Sequence, residues 1–184
     1  MEFLNHLWLP ILLASFAVWF WSFLSWAILP FHKGDWKKLP NEDAFAAAVR
    51  PLNIPPGVYG FPYCEGHSQQ KDPAFLEKWK AGPVGLIHVW FPNPSMGGNM
   101  IASFALDLVV SLLIAYAGFA ALPHAAHLKA FQVTGTIGIL SYSFAALPNM
   151  IWFQGGKRAM LTAVFDGVVQ GLVTGAVFAF FWPA

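Results

Sequence analysis

Two aspartates stand inside stretches otherwise fit for lipid, and any chemistry has to start with them. Asp107 interrupts the apolar run 99–122 and Asp166 the run 159–182. A carboxylate at such a depth is expensive in a bilayer and normally turns into a bundle interior or a wet cavity. On a helical rise of about 1.5 Å per residue, Asp107 lies about 12 Å and Asp166 about 10 Å from the same ends of their helices, and Asn149 about 6 Å from that end of the neighbouring run. At those depths the three can meet, with Gln170 one turn beyond Asp166. Two carboxylates at one level in a low dielectric do not both stay charged cheaply, so one would hold a proton or a cation would sit between them. The chemistry on offer is a proton or cation site, or an anchor for a polar headgroup. The plain alternative is a protonated structural pair, or two acids reaching toward Lys157 and Arg158.

The remaining candidates are metal ligands. His6, His124 and His127 gather at one end of the apolar runs, where imidazoles can hold a metal, a haem or a chlorin, although interfacial histidines are common. Cys64 and His67, in the stretch Cys64-Glu65-Gly66-His67, can join His32 or His88 in a Cys/His site only if the fold brings them together. Cys64 is the single cysteine, which excludes an intrachain disulfide. The glycines of Met96-Gly97-Gly98 and Gly155-Gly156 lack the lysine of a phosphate loop and read as turns. No Ser/His/Asp order and no zinc-protease motif occurs, so no catalytic residues are assigned.

These residues must be positioned by helices in lipid. Of the 184 residues 57% are hydrophobic and only 10% charged, against roughly 25% charged in soluble domains, and the mean hydropathy is +0.55. A net charge of +1 gives no field to attract nucleic acid. Four runs have the roughly 20 residues a span needs: 7–31, 99–122, 130–153 and 159–182. The first has no basic residue ahead of it and no small-x-small cleavage site before His32, so it reads as a retained span rather than a signal. Lys33, Lys37, Lys38, Lys157 and Arg158 flank one side of the four runs and Lys129 the other. The positive-inside rule then puts segment 32–98 in the cytoplasm and both termini outside.

The expected fold is an all-α membrane protein: a first transmembrane helix over 1–31, a 67-residue proline-rich, partly helical extramembrane loop over 32–98, and three further helices over 99–184. Within the loop, Asn41-Glu42-Asp43 begins one short helix, and Asp72 followed by Pro73 caps another that stops at Gly82-Pro83. Residues 55–63 read as extended and turn-rich, and 84–91 as a short strand or extended return.

Helix contacts in lipid are marked by small residues. In the fourth run Ala163, Gly167, Gly171 and Gly175 recur every four residues, beside a polar row of Thr162, Asp166, Gln170 and Thr174. Gly138 lies on a similar face of the third run, where Pro148 is expected to bend the helix. Trp19, Phe20 and Trp21 fall near the middle of the first run, although Trp favours the interface. They suit lipid contact or bundle packing, or docking of another membrane subunit, a quinone or a pigment.

The pieces His32-Lys33-Gly34-Asp35, Leu39-Pro40-Asn41-Glu42-Asp43, Pro55-Pro56-Gly57-Val58-Tyr59-Gly60-Phe61-Pro62 and Gly82-Pro83-Val84-Gly85, with the ending Phe180-Phe181-Trp182-Pro183, resemble a family of uncharacterised bacterial integral membrane proteins. The resemblance implies a four-span protein of a bacterial inner membrane with a structured segment after the first helix, and it brings no catalytic residues. Together these features favour a non-catalytic accessory or assembly subunit of a larger membrane complex, respiratory or photosynthetic in kind, with lipid and other membrane subunits as partners. The alternative is a homo-oligomeric transporter of protons, cations or small solutes that uses Asp107 and Asp166.

Overall fold

The computed structural model describes residues 2–92, 95–124 and 126–183. The chain is mostly helical, at 71%, and four of its helical stretches are long and apolar enough to cross a membrane: Phe3–Ile28, Met96–Ala121, His127–Trp152 and Lys157–Phe180. Each begins two to four residues before the corresponding apolar run, because a helix continues into polar ends where its backbone can still bond to water. The protein is a multi-pass membrane protein.

The chain divides into two compact units, Met1–Lys37 with Met96–Ala184, and Lys38–Ser95. In the first unit α1 (Glu2–Phe23) runs into a π turn, Leu24–Ile28, and then breaks. Pro30 sets the break: Leu29 is extended (ψ 152°), and Pro30 opens a single 3-10 turn, Pro30–His32, as a residue without an N–H can. The turn and the residues up to Lys37, which hydropathy groups with the loop, belong to the helical unit.

The smaller unit holds α2 (Glu42–Val49), β1 (Gly57–Phe61), α3 (Pro73–Ala81) and β2 (Gly85–Val89). In α3 the Asp72 carboxylate accepts from the Ala74 N–H at 3.0 Å, which is why the helix starts at Pro73. The two strands pair antiparallel, Tyr59 opposite Ile87 and Phe61 opposite Gly85. This ribbon corrects the all-α expectation. The stretch at 57–61 finds backbone partners in 85–89, across a separation in sequence over which composition carries no pairing information.

The helical unit is completed by α4 (Met96–Ala121), α5 (His127–Ile139) with its π turn Leu140–Phe144, α6 (Leu147–Trp152) and α7 (Lys157–Phe180). Pro148 does not bend a continuous helix. It sits in the first turn of α6, which restarts after the π turn. Helix α7 packs chiefly on α5 and α1, and α4 chiefly on α1 and α5. At the end holding both termini Leu7, Ile11, Ala14, Ile114, Ala115, Ala130, Phe178 and Trp182 form a buried apolar core.

The glycines of α7 set its rotation. A Cβ on Gly167 would run into the backbone nitrogen of Ser143, and one on Gly171 into that of Ile139; one on Gly175 would lie 2.8 Å from the Gly135 Cα, and one on Gly138 2.9 Å from the Gly171 Cα. Ala163 continues this line half-buried. Only a backbone without side chains lets α5 and α7 approach so closely. Asp166, Gln170 and Thr174 each precede one of these glycines by one residue, about 100° around the helix. With the glycines against α5, Asp166 and Gln170 face α1.

Candidate functional site

Opposite that polar row α1 supplies Trp21, Ser22 and Ser25. The Gln170 amide donates to Ser22 Oγ at 2.9 Å. One turn earlier Ser25 Oγ donates to Asp166 Oδ1 at 2.7 Å, and the Trp21 indole N–H donates to the same oxygen at 3.2 Å. Ser25 lies in the π turn, a local widening of the helix often found at functional sites. The 3-10 turn then folds His32 back over α7, where its Nε2 meets Asp166 Oδ2 at 2.8 Å. Its Nδ1 meets Asp35 Oδ2 at 2.7 Å. One imidazole therefore bridges two carboxylates, with the side chains of all three residues less than a tenth exposed.

The surroundings hold this ring in place. Trp26 stacks on His32 with centroids 3.9 Å apart and planes 8° from parallel, a face that favours an imidazolium. Thr162 Oγ1 donates to Asp35 Oδ2 at 2.7 Å. Asp35 Oδ1 accepts no hydrogen bond and faces Arg158 Nε at 3.4 Å, while Arg158 also donates to the Phe31 carbonyl at 3.1 Å. Gly34 makes room for that guanidinium, since a Cβ there would lie 2.6 Å from Arg158 Nε.

Burial alone would raise the Asp35 carboxyl. The hydrogen bonds from Thr162 and His32, with the charges of His32 and Arg158, outweigh burial and hold it below its ordinary value of 3.8. With Asp35 ionised, the Nδ1 position carries a proton and donates to it. The Nε2–Oδ2 contact to Asp166, at 2.8 Å, is short enough for a hydrogen bond between ring and carboxyl. A proton crossing that contact from carboxyl to ring breaks one O–H bond and forms one N–H bond.

A depressed carboxyl stabilises the fold above its unfolded pKa, and that stability is lost as pH falls through the lower folded value. In an acid titration of unfolding, the wild-type protein is therefore expected to lose stability as pH falls below 3.8, where Asp35→Asn shows a flatter acid limb. Identical limbs would show that Asp35 has no such role.

The expected convergence of Asp107, Asp166 and Asn149 does not form. Asp166 is taken up by α1 and His32; Asn149 is exposed on α6, beyond the break before Pro148; and no hydrogen bond or ion pair joins Asp107 to either. Gln170 lies one turn from Asp166 but serves Ser22. The metal-ligand groupings do not assemble among the described residues. His6 stacks on Phe119, His127 bonds the Ala179 carbonyl, and His124 is exposed. Cys64 Sγ donates to the Gly66 carbonyl at 3.0 Å, and His67 faces Gln70. His32 is not a partner of Cys64, because both its nitrogens are used by aspartates.

The aromatic run on α1 divides. Trp19 donates its N–H to the Met100 carbonyl at 3.1 Å and, with Phe16, Met100, Ile101 and Phe104, lines an apolar groove of about 310 Å³. Phe20 is exposed at 44%, and Trp21 turns in to Asp166. An indole N–H in lipid needs an acceptor, and both tryptophans have one.

No protein family, curated protein or solved structure matches this chain. Its chemistry is read from these side chains.

Proposed function

We propose that this protein exchanges protons at the Asp35–His32–Asp166 relay, as the ionisable element of a small proton-linked transporter that works as an assembly of copies. The observation that carries this reading is the imidazole held between two carboxylates, with Nδ1 2.7 Å from Asp35 and Nε2 2.8 Å from Asp166. The apolar core at the far end of the bundle closes a single copy, which favours a path made by several. Lys33, Lys37, Lys157 and Arg158 favour placing the relay end at the cytoplasmic face of a bacterial inner membrane.

The test is proton uptake into liposomes carrying the purified protein and an internal pH dye, driven by an imposed potential. Wild-type vesicles are expected to acidify, and Asp166→Asn to slow this at least tenfold while the protein stays folded. Equal rates in the two would overturn the proposal.

A second reading, an accessory or assembly subunit, is favoured by the smaller unit. None of its described residues is buried, while Tyr63, Trp90 and Phe91 are more than 70% exposed, a surface suited to a protein partner. Purification from native membranes in mild detergent, with mass spectrometry and an absorption spectrum, separates the readings. Stoichiometric redox or pigment proteins support the subunit, and a homo-oligomer supports the transporter.

A further inference from the structure

The two carboxylates of the relay differ in how they are covered. Asp166 has Ser25 and Trp21 on Oδ1 and His32 on Oδ2, all from α1 and the turn that follows it. Asp35 meets both Thr162 and His32 through Oδ2, and its Oδ1 is buried without a hydrogen bond. Buried carboxylate oxygens are nearly always bonded. The Asp35 side chain is only 4% exposed, although the residue as a whole is half-buried, so its cover is thin. Over Oδ1 lies Arg158, with Nε 3.4 Å away and a side chain itself 59% exposed.

The hold on that arginine is light. It donates one hydrogen bond, from Nη2 to the Phe31 carbonyl at 3.1 Å, and its approach to Asp35 is a charge contact without hydrogen-bond geometry. A long exposed side chain gives up rotamer freedom to stay in one place and gains little from an ion pair at the surface; such side chains reorient readily. Its seat is specific, however. A Cβ on Gly34 would lie 2.6 Å from Arg158 Nε, 3.0 Å from Cδ and 3.1 Å from Cζ, so the end of the arginine lies across the bare Cα of Gly34. These are atoms of a flexible side chain, which an added methyl group would push aside.

We infer that Asp35 is the water-facing end of the relay and that Arg158, seated on Gly34, is a movable lid over it. With the lid in place a positive charge stands where a proton would approach. With the lid away, water reaches Oδ1 and supplies the hydrogen bond this oxygen lacks. The lid stands on its own geometry; its part in exchange rests on the proton-exchange reading.

The experiment is carboxyl footprinting of the purified full chain with a water-soluble carbodiimide and glycine ethyl ester, read residue by residue by mass spectrometry, beside proton uptake in liposomes. In the wild type Asp35 is expected to label about tenfold more slowly than Glu42, whose side chain is 59% exposed. Gly34→Ala, which alters no charge and no relay residue, and Arg158→Gln are each expected to raise the Asp35 rate about fivefold and to leave Asp166 unchanged. Proton uptake should be about twofold faster in Gly34→Ala. Unchanged Asp35 labelling in both variants would overturn the lid, as would Asp166 labelling that rises in step with Asp35, the sign of a loosened bundle. Faster labelling without faster uptake would overturn the lid's control of exchange. Faster labelling in a protein whose wild type takes up no protons would leave the lid standing and remove the relay's transport role.

Discussion

Replacing His32 with phenylalanine is expected to destabilise the protein by about 3–5 kcal/mol through the Asp166 side of the relay alone, and to abolish proton exchange. A phenyl ring fills the same space and keeps the stack on Trp26, so the change removes hydrogen bonds and charge rather than packing. It leaves Asp166 buried at 7% exposure with only Ser25 and Trp21 as donors. Breaking a buried pair from one side costs about 3–5 kcal/mol because a charge is left uncompensated. For a chain of this size each kcal/mol moves the unfolding midpoint by roughly 2–4 °C, so a fall on the order of 10 °C should be seen in detergent. The double variant His32→Phe with Asp166→Asn separates structure from function. It carries no charge at the Asp166 position, keeps a carbonyl for Ser25 and Trp21 to donate to, and should recover most of the lost stability without recovering proton exchange. If His32→Phe unfolds within about 1 kcal/mol of the wild type, the contact is not a buried ion pair.

How far this site can be read from sequence depends on which residues one asks about. The four spans follow from length and apolar content, and the short helices at 42–49 and 73–81 from their acidic start and their Asp-Pro cap. The offset between the two rows of α7 is also legible, because each of Asp166, Gln170 and Thr174 stands one position before a glycine, but its rotation is not, since nothing in the chain says which helix takes the glycines. Depth alone suggests Asp107 as the partner of Asp166; it is the packing of the glycine ridge on α5 that turns Asp166 to α1 instead. The relay's other half was hidden for a different reason. His32 and Asp35 follow the last apolar residue of the first run, and hydropathy places them in the loop. Only Pro30, by ending the helix and opening a 3-10 turn, brings the chain back over α7. The signals that could have found them are the proline two residues ahead and the His-x-x-Asp spacing, which suits a single turn. The pairing of 57–61 with 85–89 had no such signal, since register between distant strands rests on contacts rather than on composition.

The glycine ridge that aims Asp166 gives the other large effect, and its sign depends on position. Gly171→Ala is expected to destabilise the bundle by several kcal/mol, although alanine is the better helix former by about 1 kcal/mol. The added Cβ would meet the backbone nitrogen and Cα of Ile139, atoms that cannot swing aside as a side chain can, so α5 and α7 must separate along their length. Overpacking a tight contact typically costs about 1–3 kcal/mol, occasionally more, and here separation also strips contacts at Gly167 and Gly175. Gly97→Ala is the control. It lies in α4 with nothing within 4 Å of the added carbon, so the propensity gain of up to about 1 kcal/mol is unopposed. Denaturant titration of both variants in one detergent tests the pair. Because the ridge fixes where Asp166 points, Gly171→Ala should also weaken proton exchange without touching any relay residue. A Gly171→Ala protein as stable as the wild type would mean that α5 and α7 do not meet backbone to backbone, and the orientation of Asp166 toward α1 would lose its cause.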